Sequence, residues 1–216
     1  AVGNPESPLL AIVGGAKVST KLTVLKHLAQ KVDHLIVGGG IANTFLLALG
    51  HNIGKSLCEP DMIDDCKTII DIISNKGGQL PLPTDVVVAK EISETVVPVV
   101  KSVTELDDDD LILDVGPNTL KAQCQLVNSV NTIVWNGPMG LFEIDAFANG
   151  TKTLAHAIAA SSAFSVAGGG DTLAAVAKFN VRDKLDYVST GGGAFLEFLE
   201  GATFPTIEIL KLRAAS

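Results

Sequence analysis

Short apolar runs alternate along the chain with longer segments whose apolar residues recur at helical spacing. Apolar runs of about four to eight residues bounded by glycine or proline are typical of buried strands, and the longer segments are typical of helices packed on a sheet. The candidate strands are residues 9–13, 34–37, 85–89, 111–115, 132–135, 164–167 and 186–189. This alternation predicts an α/β fold, doubly wound and Rossmann-like, with one mainly parallel sheet of about six strands and helices on both faces.

Some segments depart from this pattern. Pro81 and Pro83 argue against a central strand immediately before residue 85, because proline cannot donate to a strand ladder. Residues 90–110 show no clear period, and their last four residues are consecutive aspartates, which favour a solvated surface loop over a metal site because neighbouring acids point in different directions. Residues 1–8 are polar with two prolines and predict a linker or a cut end. We expect one domain over residues 9–216, with a final helix at residues 206–214.

Glycine turns follow four of the predicted strands, at residues 14–15, 38–40, 168–170 and 191–193. The carboxyl ends of parallel strands lie at one edge of a sheet, and open α/β folds bind their ligands at that edge. Four such turns therefore favour one shared site of nucleotide size over four independent turns.

Residues 164–177 predict the phosphate end of that site. A buried strand is followed by three glycines, by Asp171, and by a helix that Thr172 opens. Glycines let the backbone approach a ligand closely, and the first N–H groups of a helix attract anions. Asp171 is then either a helix cap or a ligand of a magnesium ion bound to the phosphates. Taken alone, this stretch fits an ordinary capped turn better than a binding site.

Two lysines follow the first glycine turn. Lys17 and Lys21 are four residues apart in what the pattern predicts as the first turn of a helix, so they share a face. Cations at the positive end of a helix cost about 0.3–1 kcal/mol each unless an anion lies between them. The pair therefore favours phosphate ligands, and two solvated lysines are the plain alternative.

The segment after one buried strand has an unusual composition. Asn136 leaves that strand at the expected ligand edge, and Pro138 and Leu141 are able to enclose an aromatic base. Glu143 is able to accept two hydroxyl protons from a ribose, and Leu57, in a loop elsewhere in the chain, is able to cover a flat ligand. Each of these residues also fits an ordinary role in a turn, in the core or at a helix start.

Composition narrows the range of partners. The 216-residue chain is 47% hydrophobic with a net charge of −8, so it can form a large core, and its acidic charge argues against a nucleic-acid surface. Its apolar runs are shorter than the ~20 residues of a membrane helix, and it shows no signal-peptide pattern. We therefore expect a soluble cytoplasmic protein.

The three cysteines and four histidines lack the spacing of disulfide frameworks or metal sites, which predicts structural roles.

Five short motifs carry a family resemblance. They are residues 14–21 (GGAKVSTK), 135–138 (WNGP), 142–143 (FE), 168–172 (GGGDT) and 189–193 (STGGG). In this order they resemble phosphoglycerate kinase, specifically its carboxyl-terminal nucleotide-binding domain, and the resemblance runs from about Leu9 to the end of the chain. The P-loop pattern and a complete G-x-G-x-x-G are both absent.

The resemblance implies a role for each matching residue. Lys17 would contact the transferring phosphoryl group, Lys21 the α-phosphate, Asp171 a magnesium ion and Glu143 the ribose. Further nucleotide contacts would be Gly15, Ala16, Asn136, Gly169, Gly170 and Thr172, with an adenine slot walled by Gly39, Gly40, Leu57, Leu113, Pro138 and Leu141. Residues 189–193 would form a hinge facing the acceptor, and the expected catalytic group is Lys17, Gly170, Gly192 and Gly193.

The implied reaction is the reversible transfer of a phosphoryl group from 1,3-bisphosphoglycerate to Mg-ADP, which gives 3-phosphoglycerate and ATP in glycolysis. Such transfer depends on positioning and charge neutralisation and needs no nucleophilic side chain. The family's amino-terminal domain, which carries the basic phosphoglycerate site, has no counterpart in this sequence. We therefore expect a monomeric fragment that binds ADP or ATP, has little or no turnover, and meets phosphoglycerate only through that domain.

Two other functions stay open. A nucleotide-binding or regulatory domain that is not an enzyme would gain no activity from an added amino-terminal kinase domain. A dinucleotide-binding oxidoreductase domain would bind NAD and carry an acid after its second strand. Glycine follows Val37 there, which argues against this second alternative.

Overall fold

The computed structural model describes residues 5–192 and the single residues 195, 197 and 199. Its strands are β1 (Leu9–Gly14), β2 (His34–Gly38), β3 (Asp85–Ala89), β4 (Val99–Ser102), β5 (Leu111–Val115), β6 (Thr132–Asn136), β7 (Phe164–Gly168) and β8 (Tyr187–Ser189). Its α-helices are α1 (Leu22–Lys31), α2 (Gly39–Ala48), α3 (Ile63–Asn75), α4 (Pro117–Val127), α5 (Asn149–Ala160) and α6 (Gly170–Lys178). The predicted helix at residues 206–214 and the turn residue Gly193 lie outside the described residues. None of the helices described here is long and apolar enough to cross a bilayer.

Five strands form the main sheet in the order β2-β1-β6-β7-β8, and every neighbouring pair is parallel. Strand β1 is buried along its whole length, and its alternate residues point to opposite faces. Leu9, Ala11 and Val13 pack in one cluster with α1, α2 and α3, whereas Leu10 and Ile12 pack in another with α4, α5 and α6. Helices therefore cover both faces of the sheet, which confirms the predicted α/β, Rossmann-like class.

The main sheet has five strands in the described part of the chain, where six were predicted. Strands β3 and β5 belong instead to a separate antiparallel sheet with the order β4-β3-β5. An apolar run indicates a buried strand, but it does not indicate which neighbour the strand pairs with. Strand β4 lies within residues 90–110, which showed no clear period, and Val99 and Val100 are half exposed on this edge strand.

The four-aspartate run is not the fully solvated loop that the sequence predicts. Asp110 is 1% exposed, and its carboxylate pairs with the ammonium groups of Lys90 at 2.9 Å and Lys101 at 2.7 Å. Carboxylate oxygens of Asp107, Asp109 and Asp110 approach one another closely enough to hold a metal ion. Lys90 and Lys101 already pair with these carboxylates, so the cluster ties the loop after β4 to the rest of the antiparallel sheet.

Cys66 is buried, whereas Cys58 and Cys124 are partly exposed. Cys58, Cys66 and Cys124 are all free thiols. Burial raises the pKa of the Cys66 thiol to about 12, so this residue is inert at neutral pH.

Strand direction brings the glycine turns to one edge of the main sheet. Strand β1 ends at Gly14, β2 at Gly38 and β7 at Gly168. Because β1 pairs with β2 on one side and with β6 on the other, the strand order reverses between β1 and β6. Open α/β sheets leave a crevice for ligands at this kind of reversal.

Candidate functional site

A cleft of about 510 Å³ opens at this edge of the main sheet and reaches the antiparallel sheet. Ten of the residues predicted from the sequence line it: Gly15, Ala16, Gly39, Gly40, Leu57, Leu113, Pro138, Leu141, Glu143 and Asp171. Seven others do not line it: Lys17, Lys21, Asn136, Gly169, Gly170, Thr172 and Gly192. Sequence motifs far apart in the chain are therefore brought together in space.

One part of the cleft is apolar. Leu113 of β5 and Leu141 of the loop after β6 are joined by a hydrogen bond from the Leu141 N–H to the Leu113 carbonyl, at 2.8 Å. Leu57 and Ile92 also line the cleft, and both side chains are more than half exposed. Large apolar side chains exposed around a concave surface are typical of a site that binds a flat, apolar group.

Polar side chains near this apolar part are already bonded within the protein. The buried Asn43 amide donates to the Leu57 carbonyl at 3.1 Å. The Ser56 hydroxyl donates to the Ile53 carbonyl and accepts from the Ile112 N–H at 2.8 Å. These groups shape the cleft and hold Leu57 in place. Sequence reasoning missed Asn43, for which the signal was an amide inside an otherwise apolar helix.

Asp114 is a second lining residue that sequence reasoning missed. It is 2% exposed, and its carboxylate accepts hydrogen bonds from the Val115 N–H at 2.9 Å and the Gly150 N–H at 2.7 Å. Burial away from water raises the pKa of this carboxyl group to about 7, despite the two N–H donors. Asp114 thus joins β5 to the start of α5. An acid inside an apolar strand was the signal that could have identified it.

Asp171, in the first turn of α6, brings an acidic side chain to the cleft. Gly169 is the N-cap residue, and no side chain caps this helix, so Asp171 lies in the first turn without acting as a cap. The Asp171 carboxylate is exposed and has no hydrogen-bond partner within the described residues. A Cβ atom added to Gly170 would meet no atom within 4 Å. Free N–H groups beside a free carboxylate fit an anion that carries a magnesium ion.

Two of the turns require glycine at one position each. Gly169 has φ +101°, and a Cβ atom there would lie 2.6 Å from Asn136 Nδ2. Gly39 has φ +64°, and a Cβ atom there would lie 2.7 Å from the Gly15 carbonyl oxygen. In both turns the backbone takes a left-handed conformation and packs directly against a neighbouring loop.

A hydrogen-bond network joins the strand ends beside the cleft. Lys21 Nζ donates to the carbonyl of Gly14 at 2.6 Å, the carbonyl of Asn136 at 3.2 Å and the side-chain oxygen of Asn136 at 2.6 Å. Asn136 Nδ2 in turn donates to the Gly168 carbonyl at 2.7 Å. The Thr172 hydroxyl accepts from the Gly137 N–H at 2.7 Å. Lys21 and Asn136 thereby tie together the ends of β1, β6 and β7.

The structure does not place Lys17 and Lys21 on one helical face. Lys17 is exposed and precedes a short 3-10 turn (Ser19–Lys21), and α1 begins only at Leu22. The Glu59 carboxylate accepts from the N–H and hydroxyl of Ser19, at 2.9 and 2.6 Å, which holds this turn in place. Lys21 points inwards, and burial lowers its pKa to about 8, an effect that Asp171 partly offsets.

Glu143 and Gly192 complete the predicted set. Glu143 is exposed, lines the cleft, and its carboxylate has no hydrogen-bond partner within residues 5–192. Gly192, in the turn after β8, does not line the cleft. The Ser189 hydroxyl accepts from the Gly191 N–H at 3.3 Å in that turn.

Known proteins resemble this chain in sequence and in structure. Residues 1–202 match the sequence model of the family described as phosphoglycerate kinase. The structure is similar to phosphoglycerate kinase from Coxiella burnetii, with 55% sequence identity and a TM-score of 0.93, over 98% of this chain and 54% of that chain. It is also similar to phosphoglycerate kinase from Pyrococcus horikoshii OT3, with 32% identity and a TM-score of 0.80, over 95% of this chain and 52% of that chain. This chain therefore spans about half the length of both proteins. Since the match extends over nearly all of its residues, the chain belongs to the phosphoglycerate kinase family.

Proposed function

We propose that this chain binds a magnesium–adenine nucleotide in the cleft and acts as the nucleotide-binding half of a phosphoglycerate kinase. The observation that carries the proposal is that one cleft combines an apolar surface with a charged one. Apolar side chains line one part, and the Asp171 carboxylate, in the first turn of an uncapped helix, lines the other. ADP also has an apolar part and a charged part, because its flat base is joined through a ribose to charged phosphates.

Different residues of the chain would bind different parts of the nucleotide. The first N–H groups of α6 would bind phosphate oxygens, and Asp171 would hold the magnesium ion, which neutralises phosphate charge when it is bound. Lys17 is exposed beside Ala16 and would contact the phosphoryl group. Lys21 would reach the α-phosphate by exchanging one of its three protein acceptors. Glu143 would accept the ribose hydroxyls.

The transfer step would depend on the other half of a phosphoglycerate kinase. This half would position ADP and neutralise charge on the moving phosphoryl group, which is the main requirement of such chemistry. The phosphoglycerate would be held by the amino-terminal domain of the family. We therefore expect residues 9–216 to form one nucleotide-binding domain of a monomeric cytoplasmic enzyme, with little or no turnover by itself.

Calorimetric titration with ADP, with and without magnesium, tests the proposal. We expect saturable one-to-one binding by the wild type, strengthened by magnesium. Asp171→Ala should lose that magnesium-dependent gain, about tenfold or more in affinity, because the carboxylate ligand is gone. Without magnesium the same variant should bind ADP no more weakly than the wild type, since the carboxylate then only repels phosphate. Asp183→Ala removes an exposed acid that does not line the cleft, so it is the matched control.

Three results would argue against the proposal. A folded wild type that does not bind Mg-ADP contradicts nucleotide binding. An unchanged magnesium effect in Asp171→Ala rejects the metal role of that residue. Binding of NAD in preference to ADP would favour the oxidoreductase alternative. A separately made amino-terminal kinase domain gives a further test, because added activity is expected of a kinase half and not of a regulatory domain.

A further inference from the structure

The last turn of α6 contacts the loop that carries Glu143. Lys178 Nζ donates to the Phe142 carbonyl at 2.8 Å, the Glu143 carbonyl at 3.1 Å and the Asp145 carboxylate at 2.8 Å. An ammonium group has three N–H donors, so all of them are used. The two carbonyls belong to the peptide groups on either side of the Glu143 Cα atom. Fixing both peptide groups fixes the direction of the Glu143 Cα–Cβ bond.

A second contact anchors the same loop to the same helix end. The rings of Phe142 and Phe179 meet edge to face, with centroids 6.4 Å apart and an interplanar angle of 63°. Both side chains are buried. Aromatic pairs in this arrangement contribute attraction beyond the area that they bury. The backbone before Glu143 is therefore held by a ring pair as well as by the lysine.

The ion pair with Asp145 does not by itself explain this arrangement. The Asp145 side chain is 93% exposed, and ion pairs at exposed sites contribute little to stability. The Phe142 carbonyl contact is part-buried. The Glu143 carboxylate has no partner of its own within the described residues, so the backbone that Lys178 holds fixes where this side chain begins, and no protein group among those residues competes with a ligand for the carboxylate.

We propose that Lys178 is a positioning residue for nucleotide binding, which directs the Glu143 carboxylate towards the ribose hydroxyls by holding both adjacent peptide groups. The inference rests on the proposed function, because it requires a nucleotide in the cleft. Helix α6 then has two tasks. Its first turn carries Asp171 for the metal and phosphates, and its last turn sets the ribose acceptor, so one rigid element relates the two subsites.

Comparing the binding of two nucleotides distinguishes a positioning role of Lys178 from a general effect on stability. Mg-ADP has the ribose hydroxyls that Glu143 would accept, and the magnesium complex of 2′,3′-dideoxy-ADP lacks them. We expect the wild type to prefer ADP about tenfold, as is typical of a hydrogen bond to a charged group. Lys178→Met should reduce this preference to about twofold or less, while affinity for the dideoxy analogue stays within about twofold of wild type. Lys178→Arg keeps donors for both carbonyls and should restore most of the preference.

Lys152 provides the matched control. It is an exposed lysine on α5 whose charge also acts on Asp145, but its side chain donates no hydrogen bond within the described residues. Lys152→Met therefore removes the same charge without releasing the loop, and it should keep the wild-type preference. In a Glu143→Gln background, Lys178→Met should have little further effect on the preference, because the two residues act through one contact.

The possible outcomes are distinct. A wild-type preference retained in Lys178→Met, or an equal loss of affinity for both nucleotides, overturns the positioning role. A wild type that binds both nucleotides equally overturns it too, while Mg-ADP binding in the cleft stands. Failure of the folded wild type to bind Mg-ADP removes the proposed function and this inference together. If circular dichroism shows that Lys178→Met is unfolded, Lys178→Gln replaces it under the same criteria.

Discussion

Replacing Asp114 with asparagine tests how the buried carboxyl group beside the cleft affects stability. Burial raises its pKa from the ordinary 3.8 to about 7, and its two backbone donors do not compensate for the loss of water. Between these two pKa values the folded protein binds a proton at Asp114 that the unfolded chain has released. The free energy of unfolding therefore falls as pH rises through this range, because the folded state is the one that binds more protons.

The size of the effect follows from the difference in pKa. Each pKa unit corresponds to about 1.4 kcal/mol, so the full difference sets an upper limit of about 4 kcal/mol. Asparagine does not titrate and keeps one accepting oxygen, so it loses one of the two hydrogen bonds at every pH, at a cost of about 1–3 kcal/mol. Below the ordinary pKa the variant should be the less stable protein, and its disadvantage should shrink or reverse as the pH approaches neutrality.

Urea unfolding provides the assay, because the single tryptophan, Trp135, is buried in the core and reports loss of structure by its fluorescence. We expect the difference in unfolding free energy between wild type and Asp114→Asn to change by about 2–4 kcal/mol between about pH 4.5 and pH 7.5. Asp183→Asn, at an exposed acid, should show a change below about 0.5 kcal/mol. A constant difference between wild type and Asp114→Asn across this range would refute the reasoning.

Lys21 and the glycine turn before α6 provide the remaining predictions. Burial lowers the pKa of Lys21 to about 8, so affinity for Mg-ADP should fall above that pH as the ammonium loses its charge, by up to about tenfold per pH unit. Calorimetry should show a smaller fall for Lys21→Arg, which stays charged, and a parallel fall in both proteins would contradict this. Gly169→Ala should lower stability by about 1–3 kcal/mol because of its positive φ and its close approach to Asn136. Gly170→Ala, which has open space around it, should be neutral or stabilising, and thermal unfolding of the two variants measures both changes.

Local pattern explains most of the main sheet. The 9–13 run is apolar at every position and forms β1, whose alternate residues serve the two faces of the sheet. The same signal does not determine pairing, because Asp85–Ala89 and Leu111–Val115 are also apolar runs and yet they join an antiparallel sheet. Val99–Ser102 was missed because a short, half-exposed edge strand has little apolar periodicity.

The candidate site, like the sheet, was predictable from the sequence only in part. Glycine turns at four strand ends predicted one shared site. Gly15 and Gly39 of the first two turns line one cleft with Asp171, whereas Gly169, Gly170 and Gly192 do not line it. Contacts between distant residues were not predictable from local pattern. Lys178 meets Phe142 and Glu143 across more than 30 positions, and nothing in its surrounding sequence indicates those partners.

The most direct test of the central claim is to find where a nucleotide binds. The amide resonances of an isotope-labelled chain can be followed while Mg-ADP is added, with magnesium pyrophosphate as a ligand that has no base or ribose. We predict saturable one-to-one shifts at Gly40, Leu57 and Leu141 with Mg-ADP alone, and at the start of α6 with both ligands. Shifts confined to the separate cleft that Lys152 and His156 line, or no shifts at the predicted residues, would contradict the account.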